Sequence, residues 1–151
     1  MKIGISAIGK VSSQFKSPKE LHFACERGRL AETESEIVLD ERLSKGLAGI
    51  EDFSHIWVIY FLHDANRIEM KTHPGPPEIE GLPKVGVFAS RSQYRPNHIA
   101  LRLVELSKVE SNKLHIKGLD AIDGTPVLDI KPFIPHFDKP ENERIANWYK
   151  W

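Results

Sequence analysis

The sequence has a single cysteine, Cys25, among 151 residues. No intrachain disulfide is possible, which suits a reducing cytoplasm. Cys25 reads as an inert structural thiol, with a nucleophile as the alternative. Net charge is lacking too: Lys and Arg total 21 and Asp and Glu total 21. A neutral chain cannot hold nucleic acid by bulk charge, so any polyanion must meet a local basic patch. Long apolar runs are also missing. The longest, Ile56-Trp57-Val58-Ile59-Tyr60-Phe61-Leu62, falls far short of the roughly 20 residues that a membrane-spanning helix needs. The opening Met1-Lys2-Ile3-Gly4-Ile5-Ser6 has no signal-peptide architecture. A cytoplasmic protein without a membrane partner is the expectation.

Several chemical fingerprints are absent. There is no G-x-x-x-x-G-K-[ST], which excludes a P-loop, and Gly4 and Gly9 do not make G-x-G-x-x-G, which leaves a dinucleotide fold unsupported. There is no G-x-S-x-G for an esterase-type serine and no C-x-x-C or H-E-x-x-H for zinc. His55 and His63 lie eight apart on a predicted strand and so share a face. With Asp64 they would make a metal site; hydrogen-bonded histidines without metal are the preferred reading.

What remains is an ordinary globular composition, 40% hydrophobic and 28% charged, of single-domain length. Residues 3–11 predict a first strand, interrupted by Gly4 and Gly9. Residues 12–34 are polar and give no clear element. Residues 35–39 predict a short strand, and Asp40 caps a short helix that ends near Leu47, with Gly46 and Gly49 as stops. Residues 55–62 are β-branched and aromatic, and the unbroken run predicts a strand buried on both faces. Residues 64–84, with Pro74, Gly75, Pro76, Pro77, Gly81 and Pro83, predict a long loop, and loops of that length in a small domain are usually functional.

After a short strand at 85–88 comes a meander. Residues 98–110 run out, Ser111-Asn112 turns, and residues 113–122 return. Asp123-Gly124 reads as a type I′ hairpin into a strand at 125–130. The predicted fold class is mainly β, an antiparallel barrel-like domain with short helices and a C-terminal helix. Asp138-Lys139-Pro140-Glu141 fits a capping box, and Ile145, Trp148 and Tyr149 would share one helix face, packed on the barrel or on a partner. The expected organisation is a barrel domain over 1–138 and a helical tail over 139–151.

Three polar clusters stand out. Gly49 to His55 leads into the apolar strand, whose far end meets His63 and Asp64. Gly86 to His98, GVFASRSQYRPNH, is dense in hydrogen-bond donors. From Gly81 to Val104 there is no Asp or Glu, while Lys84, Arg91, Arg95 and Arg102 give a local charge of +4. Glu26 to Asp52 holds eight acids against four bases, a local −4. Such segregation favours anion binding at the second cluster, where Arg is suited to forked recognition of carboxylate or phosphate. The third cluster, Gly118 to Pro132, offers Asp120, Asp129 and Lys131; the last two are two apart on one strand face, and a structural ion pair is their plain reading.

The three clusters, in this order, resemble the tRNA methyltransferase O family, also called TsaA-like. The matching text is Gly49-Ile50-Glu51-Asp52-Phe53-Ser54-His55 through to His63, Gly86 to Leu101, and Leu119 to Phe133, with the Pro76-Pro77 pair between the first two. The resemblance covers residues 1 to about 138. It implies a β-barrel methyltransferase that uses S-adenosylmethionine without a Rossmann fold, forms homodimers, and methylates N6 of a threonylcarbamoylated adenosine beside the anticodon of tRNA. Carried over by motif, the cofactor contacts fall on His63, Asp64, Arg91, Leu101, Gly118, Leu119 and Asp120. His63, Asp64 and Arg95 are the catalytic candidates; no metal ligand is implied.

Two departures stand against the family pattern. Its N-terminal P-R-Q loop is missing, and Phe23-Ala24-Cys25-Glu26-Arg27-Gly28 occupies about that region. Gln93 and His98 stand for prolines and Ala100 for glycine, which limits how closely a ligand approaches the backbone. A binding module for S-adenosylmethionine or a nucleotide without catalysis is therefore the alternative, as is a methyltransferase for a small molecule or protein.

Overall fold

The computed structural model describes residues 1–26, 28–75 and 79–149. Its strands are β1 (Gly9–Ser12), β2 (Glu34–Leu39), β3 (His55–Phe61), β4 (Lys71–Thr72), β5 (Val85–Gly86), β6 (Ile99–Glu110), β7 (Lys113–Lys117) and β8 (Pro126–Pro132). Two α-helices, α1 (Pro18–Glu26) and α2 (Pro135–Asp138), and short 3-10 turns complete it. Six strands close into an antiparallel barrel in the order β1-β2-β7-β6-β3-β8, with β8 returning to β1. Closure leaves no free edge among these six. The interior is filled by every second residue: Val11, Ile37, Leu39, Ile56, Val58, Tyr60, Val104, Leu106, Leu114, Ile116 and Val127.

Where β1 crosses β2, only glycine fits. A Cβ on Gly9 would lie 2.4 Å from the Val38 carbonyl oxygen. Asp40 caps as expected, accepting from the Arg42 backbone N–H at 3.0 Å, although the turn it starts, Glu41–Leu47, is a 3-10 helix. Ser111 turns the chain between β6 and β7 with a left-handed φ of 55°.

Several elements depart from expectation, among them the return strand over 113–122, which stops at Lys117. The first strand begins at Gly9, because β2 stops at Leu39, opposite it. β3 buries one face only: Ile56, Val58 and Tyr60 point inward, while Trp57 and Ile59 are partly covered and Phe61 is exposed. On the outside Trp57 meets Phe133 edge-on, with ring centroids 6.4 Å apart, and Phe61 stays open. Residues 85–88 pair for just two residues, then Val87–Ala89 forms a 3-10 turn anchored by the buried Val87.

Asp123-Gly124 is not a hairpin. β8 pairs with β3 and β1, and β7 with β2 and β6. Of the two residues only Gly124 has positive φ, whereas a type I′ turn needs it at both. Asp123 instead ties the turn to the segment after β1, accepting from the Ser13 backbone N–H at 3.0 Å and pairing with Lys16 at 2.9 Å.

The tail differs as well. The last helix, α2, precedes the Asp138 signal, and residues 139–149 form no helix. The Asp138 carboxylate turns back to accept from the Ile134 N–H at 2.8 Å, so it serves the preceding turn rather than a following one. Asn142 takes a left-handed φ of 57°, and Ile145 remains 65% exposed. A helix of about a dozen residues is marginal in water without packing. Arg27, Pro76, Pro77, Lys150 and Trp151 lie outside the described residues, and with them the Pro76-Pro77 match.

Candidate functional site

β3 ends at one mouth of the barrel. Tyr60 is its last inward residue, and the chain then turns through Leu62, His63 and Asp64. That turn is fixed by the Leu62 N–H to the His98 carbonyl at 2.8 Å and the Ala65 N–H to the Leu62 carbonyl at 3.0 Å. Opposite lies the segment between β7 and β8, with Asp120, Ala121, Ile122 and Thr125. Pro18 and Leu21 of α1 form one wall, and Gln93 reaches in from the basic loop. Together these residues line a small recess of about 50 Å³ that opens to solvent.

The polar centre of the recess is built on Tyr60. Its phenol, 2% exposed, donates to Asp120 Oδ1 at 2.6 Å. Arg102 Nη1 lies 3.8 Å from Asp120 Oδ2. Arg102 is two residues from Val104 on β6 and therefore shares its inward face. Burial first, then the Asp120 charge, pushes the phenol far above the ordinary tyrosine value, against smaller opposing effects of Arg102 and Arg91. Tyr60 is thus a hydrogen-bond donor at every working pH. Cys25, exposed on α1, has its thiol raised by burial and then by Asp120. That fits the reading of an inert thiol.

The basic loop is tied internally. Ser90 Oγ donates to the Val87 carbonyl at 2.9 Å. Arg95 Nη1 donates to the Ser90 and Ser92 carbonyls, both at 3.2 Å. Arg67 stacks 3.7 Å over the Tyr94 ring and bonds Glu69 at 2.6 Å, joining this loop to the long loop. Arg95 therefore braces the loop, whereas Arg91 is exposed on it. Asp129 and Lys131 form the expected ion pair, 2.9 Å apart and outside the recess. His55 and His63 flank opposite ends of β3, so no ion bridges them: eight extended residues span roughly 26 Å. Among the described residues no group of three or more His, Cys, Asp and Glu is placed to hold a metal.

Residues 10–139 match the family model of the tRNA-methyltransferase O N-terminal domain. The chain belongs to that family. It is 46% identical over 101 residues to the tRNA (adenine(37)-N6)-methyltransferase of Mus musculus, covering 67% of this chain and 23% of that protein. It is 40% identical over 134 residues to an S-adenosyl-L-methionine-binding protein of Archaeoglobus fulgidus, covering 89% of this chain and 91% of that one. The crystal structure of TrmO from Pseudomonas aeruginosa superposes with a TM-score of 0.73 at 29% identity, over 97% of this chain and 63% of that chain. The chain thus spans about a quarter of the murine relative's length.

Of the residues that the tRNA methyltransferase O resemblance singles out, His63, Asp64 and Asp120 line the recess. Leu119 is buried in the core beside them, and Gly118 takes the left-handed φ of 88° that turns the chain out of β7. Arg91 is near enough for its charge to act on the Tyr60 phenol. Leu101 stands apart: Arg102 points inward, so Leu101 lies on the outer face, 43% exposed. Sequence reasoning missed Tyr60, Pro18 and Leu21. A buried tyrosine hydroxyl requires a partner, and that signal was present in the apolar strand.

Proposed function

We propose that the chain is an S-adenosylmethionine-dependent tRNA methyltransferase acting at N6 of a threonylcarbamoylated adenosine beside the anticodon, position 37 in tRNA convention. One observation carries this reading: the recess at the barrel mouth gathers His63, Asp64 and Asp120 from two separate family motifs. The donor set fits the cofactor. Leu62, Ala65, Ala121 and Ile122 offer apolar surface for a base, Asp120 an acceptor for hydroxyls, and Arg91 a charge for the carboxylate. When bound, S-adenosylmethionine supplies an electrophilic methyl group on a sulfonium. The residues at the mouth would hold the acceptor nitrogen near that methyl. His63 or Asp64, side by side at the rim, would take the N6 proton, and the sulfonium sulfur would leave with the electron pair of its bond to the methyl carbon.

Several further assignments belong to the same reading. The barrel over 1–138 is the working unit, and the tail from 139 lies outside it. The protein acts in the cytoplasm, where its tRNA is. It acts as a homodimer. The exposed outer face of β3 and β6 pairs Ile59 with Leu101 and Phe61 with Ile99, an apolar strip that a second copy would cover. Leu101 on that strip would then meet the cofactor held by the other protomer, which reconciles its outward position with the family's use of it. Phe61→Glu should yield monomers by light scattering, and a variant that stays dimeric would move the interface elsewhere.

The activity test is transfer of labelled methyl to bulk tRNA, followed by nucleoside analysis. Label in the N6-methylated threonylcarbamoyl nucleoside supports the assignment. Cofactor binding without any transfer would leave a binding module.

A further inference from the structure

The inward row of β3 reads Ile56, Val58, Tyr60. Two aliphatic side chains fill the barrel, and the third position, at its mouth, carries a phenol. A phenylalanine would fill the same space, so packing does not account for the hydroxyl. That hydroxyl is spent on one residue. It lies 2.6 Å from Asp120 Oδ1 and 3.5 Å from the Asp120 carbonyl oxygen. The second carboxylate oxygen faces Arg102 at 3.8 Å. Asp120 belongs to a segment outside any strand, yet its carboxylate is held from below by a group fixed in the core, while 35% of its side chain stays accessible at the recess.

A carboxylate accepts hydrogen bonds and donates none, so the lone pairs left free at the recess select hydroxyl or amine donors. On a loop, such a side chain would sample several rotamers, and ordering it on binding costs affinity. Tethered to Tyr60, it is already ordered.

We infer that Tyr60 is a positioning residue that sets the Asp120 carboxylate to accept from the ribose hydroxyls of the adenosyl cofactor, and so gives the site its preference for ribose over deoxyribose. The inference rests on the proposed reading of the recess as the cofactor site. It makes the last inward residue of β3 a determinant of ligand choice, although its one O–H is already spent on Asp120.

The experiment is titration calorimetry with S-adenosylhomocysteine and its 2′-deoxy and 3′-deoxy analogues, on wild type and Tyr60→Phe, with melting temperatures beside it. Wild type should bind the ribose ligand better than at least one deoxy analogue. Tyr60→Phe should bind the ribose ligand about 5- to 30-fold more weakly and that deoxy analogue nearly as before, so that the preference collapses. A merely structural role would weaken all three ligands together, and that result, or a preference left intact, overturns the inference alone. Wild type that binds none of the three overturns the functional reading and the inference with it.

Should Tyr60→Phe fail to fold, the wild-type frame carries the test. The protein has three tyrosines and can be labelled throughout with 3-fluorotyrosine. The fluorine resonance of Tyr60 should move on S-adenosylhomocysteine binding and move again in Asp120→Asn; a resonance indifferent to both overturns the inference.

Discussion

Arg91 and Arg95 are four residues apart in one loop, and the structure gives them different work. Arg95 is bound to two carbonyls of its own loop, so it maintains a shape. Arg91 is exposed, so its removal should leave stability within about 1 kcal/mol. If it holds the cofactor carboxylate, Arg91→Ala should weaken S-adenosylmethionine binding by about 1.5–3 kcal/mol, roughly 10- to 150-fold. Arg91→Lys should fall between, keeping charge and losing the planar fork. Melting temperature and calorimetric affinity together decide this: an unfolded Arg91→Ala places the residue in a structural network, and unchanged affinity leaves the loop a plain surface. At this scale the sequence was legible where residue type alone speaks, as for Asp120 among its polar neighbours. It was not legible where a side chain's direction decides. Arg102 counted as one more surface cation until the β3–β6 register, Val58 opposite Arg102, turned it into the barrel.

Local signals gave the elements, and partners decided their extent. β2 and the Asp40 cap were readable because their determinants lie within a few residues. β1 was over-extended because its length depends on where β2 stops, and the 139–151 helix was expected from a capping pattern whose Asp138 carboxylate is spent on the Ile134 N–H of the preceding turn. Two junctions give testable consequences. The β1–β2 crossing has no room for a side chain, so Gly9→Ala must push the strands apart; a loss of about 1–3 kcal/mol in denaturant unfolding is expected, and an unchanged midpoint would mean that the strands part there without cost. The Asp123 turn is tied by charge to the segment that follows β1. The hydrogen bond from Lys16, and then that from the Ser13 N–H, hold its carboxyl below the usual carboxylate range. A depressed carboxyl contributes stability above its unfolded value, near 4, and loses that contribution as pH falls through the folded value. Asp123→Asn should therefore be less stable than wild type at about pH 7 and close to it at about pH 2, by urea midpoints at each pH. A gap that persists into acid would assign the turn's stability to something other than this ion pair.

Neutrality of the whole chain makes any tRNA affinity a matter of where its cations stand. By sequence the acid-free window from Gly81 to Val104 holds four, but the fold withdraws two of them. Arg102 faces Asp120 inside the mouth, and Arg95 is committed to its own loop. Lys84 and Arg91 remain exposed, and Arg91 stands near enough to the recess for its charge to act on the Tyr60 phenol. Measured without cofactor, so that no cofactor carboxylate claims Arg91, two phosphate contacts per protomer predict a slope of log K against log salt of about −1.5, and about −3 for a dimer that engages one tRNA with both patches. The comparison of variants is more telling than the slope itself. Lys84→Ala combined with Arg91→Ala should flatten the salt dependence nearly to zero, whereas Arg102→Gln should leave the slope unchanged and impair cofactor binding instead. Equal flattening by Arg102→Gln would mean that this arginine leaves the barrel mouth to meet the RNA. A slope near zero in the wild type would remove the patch from tRNA recognition altogether, and a slope steeper than about −6 would require cations outside the window.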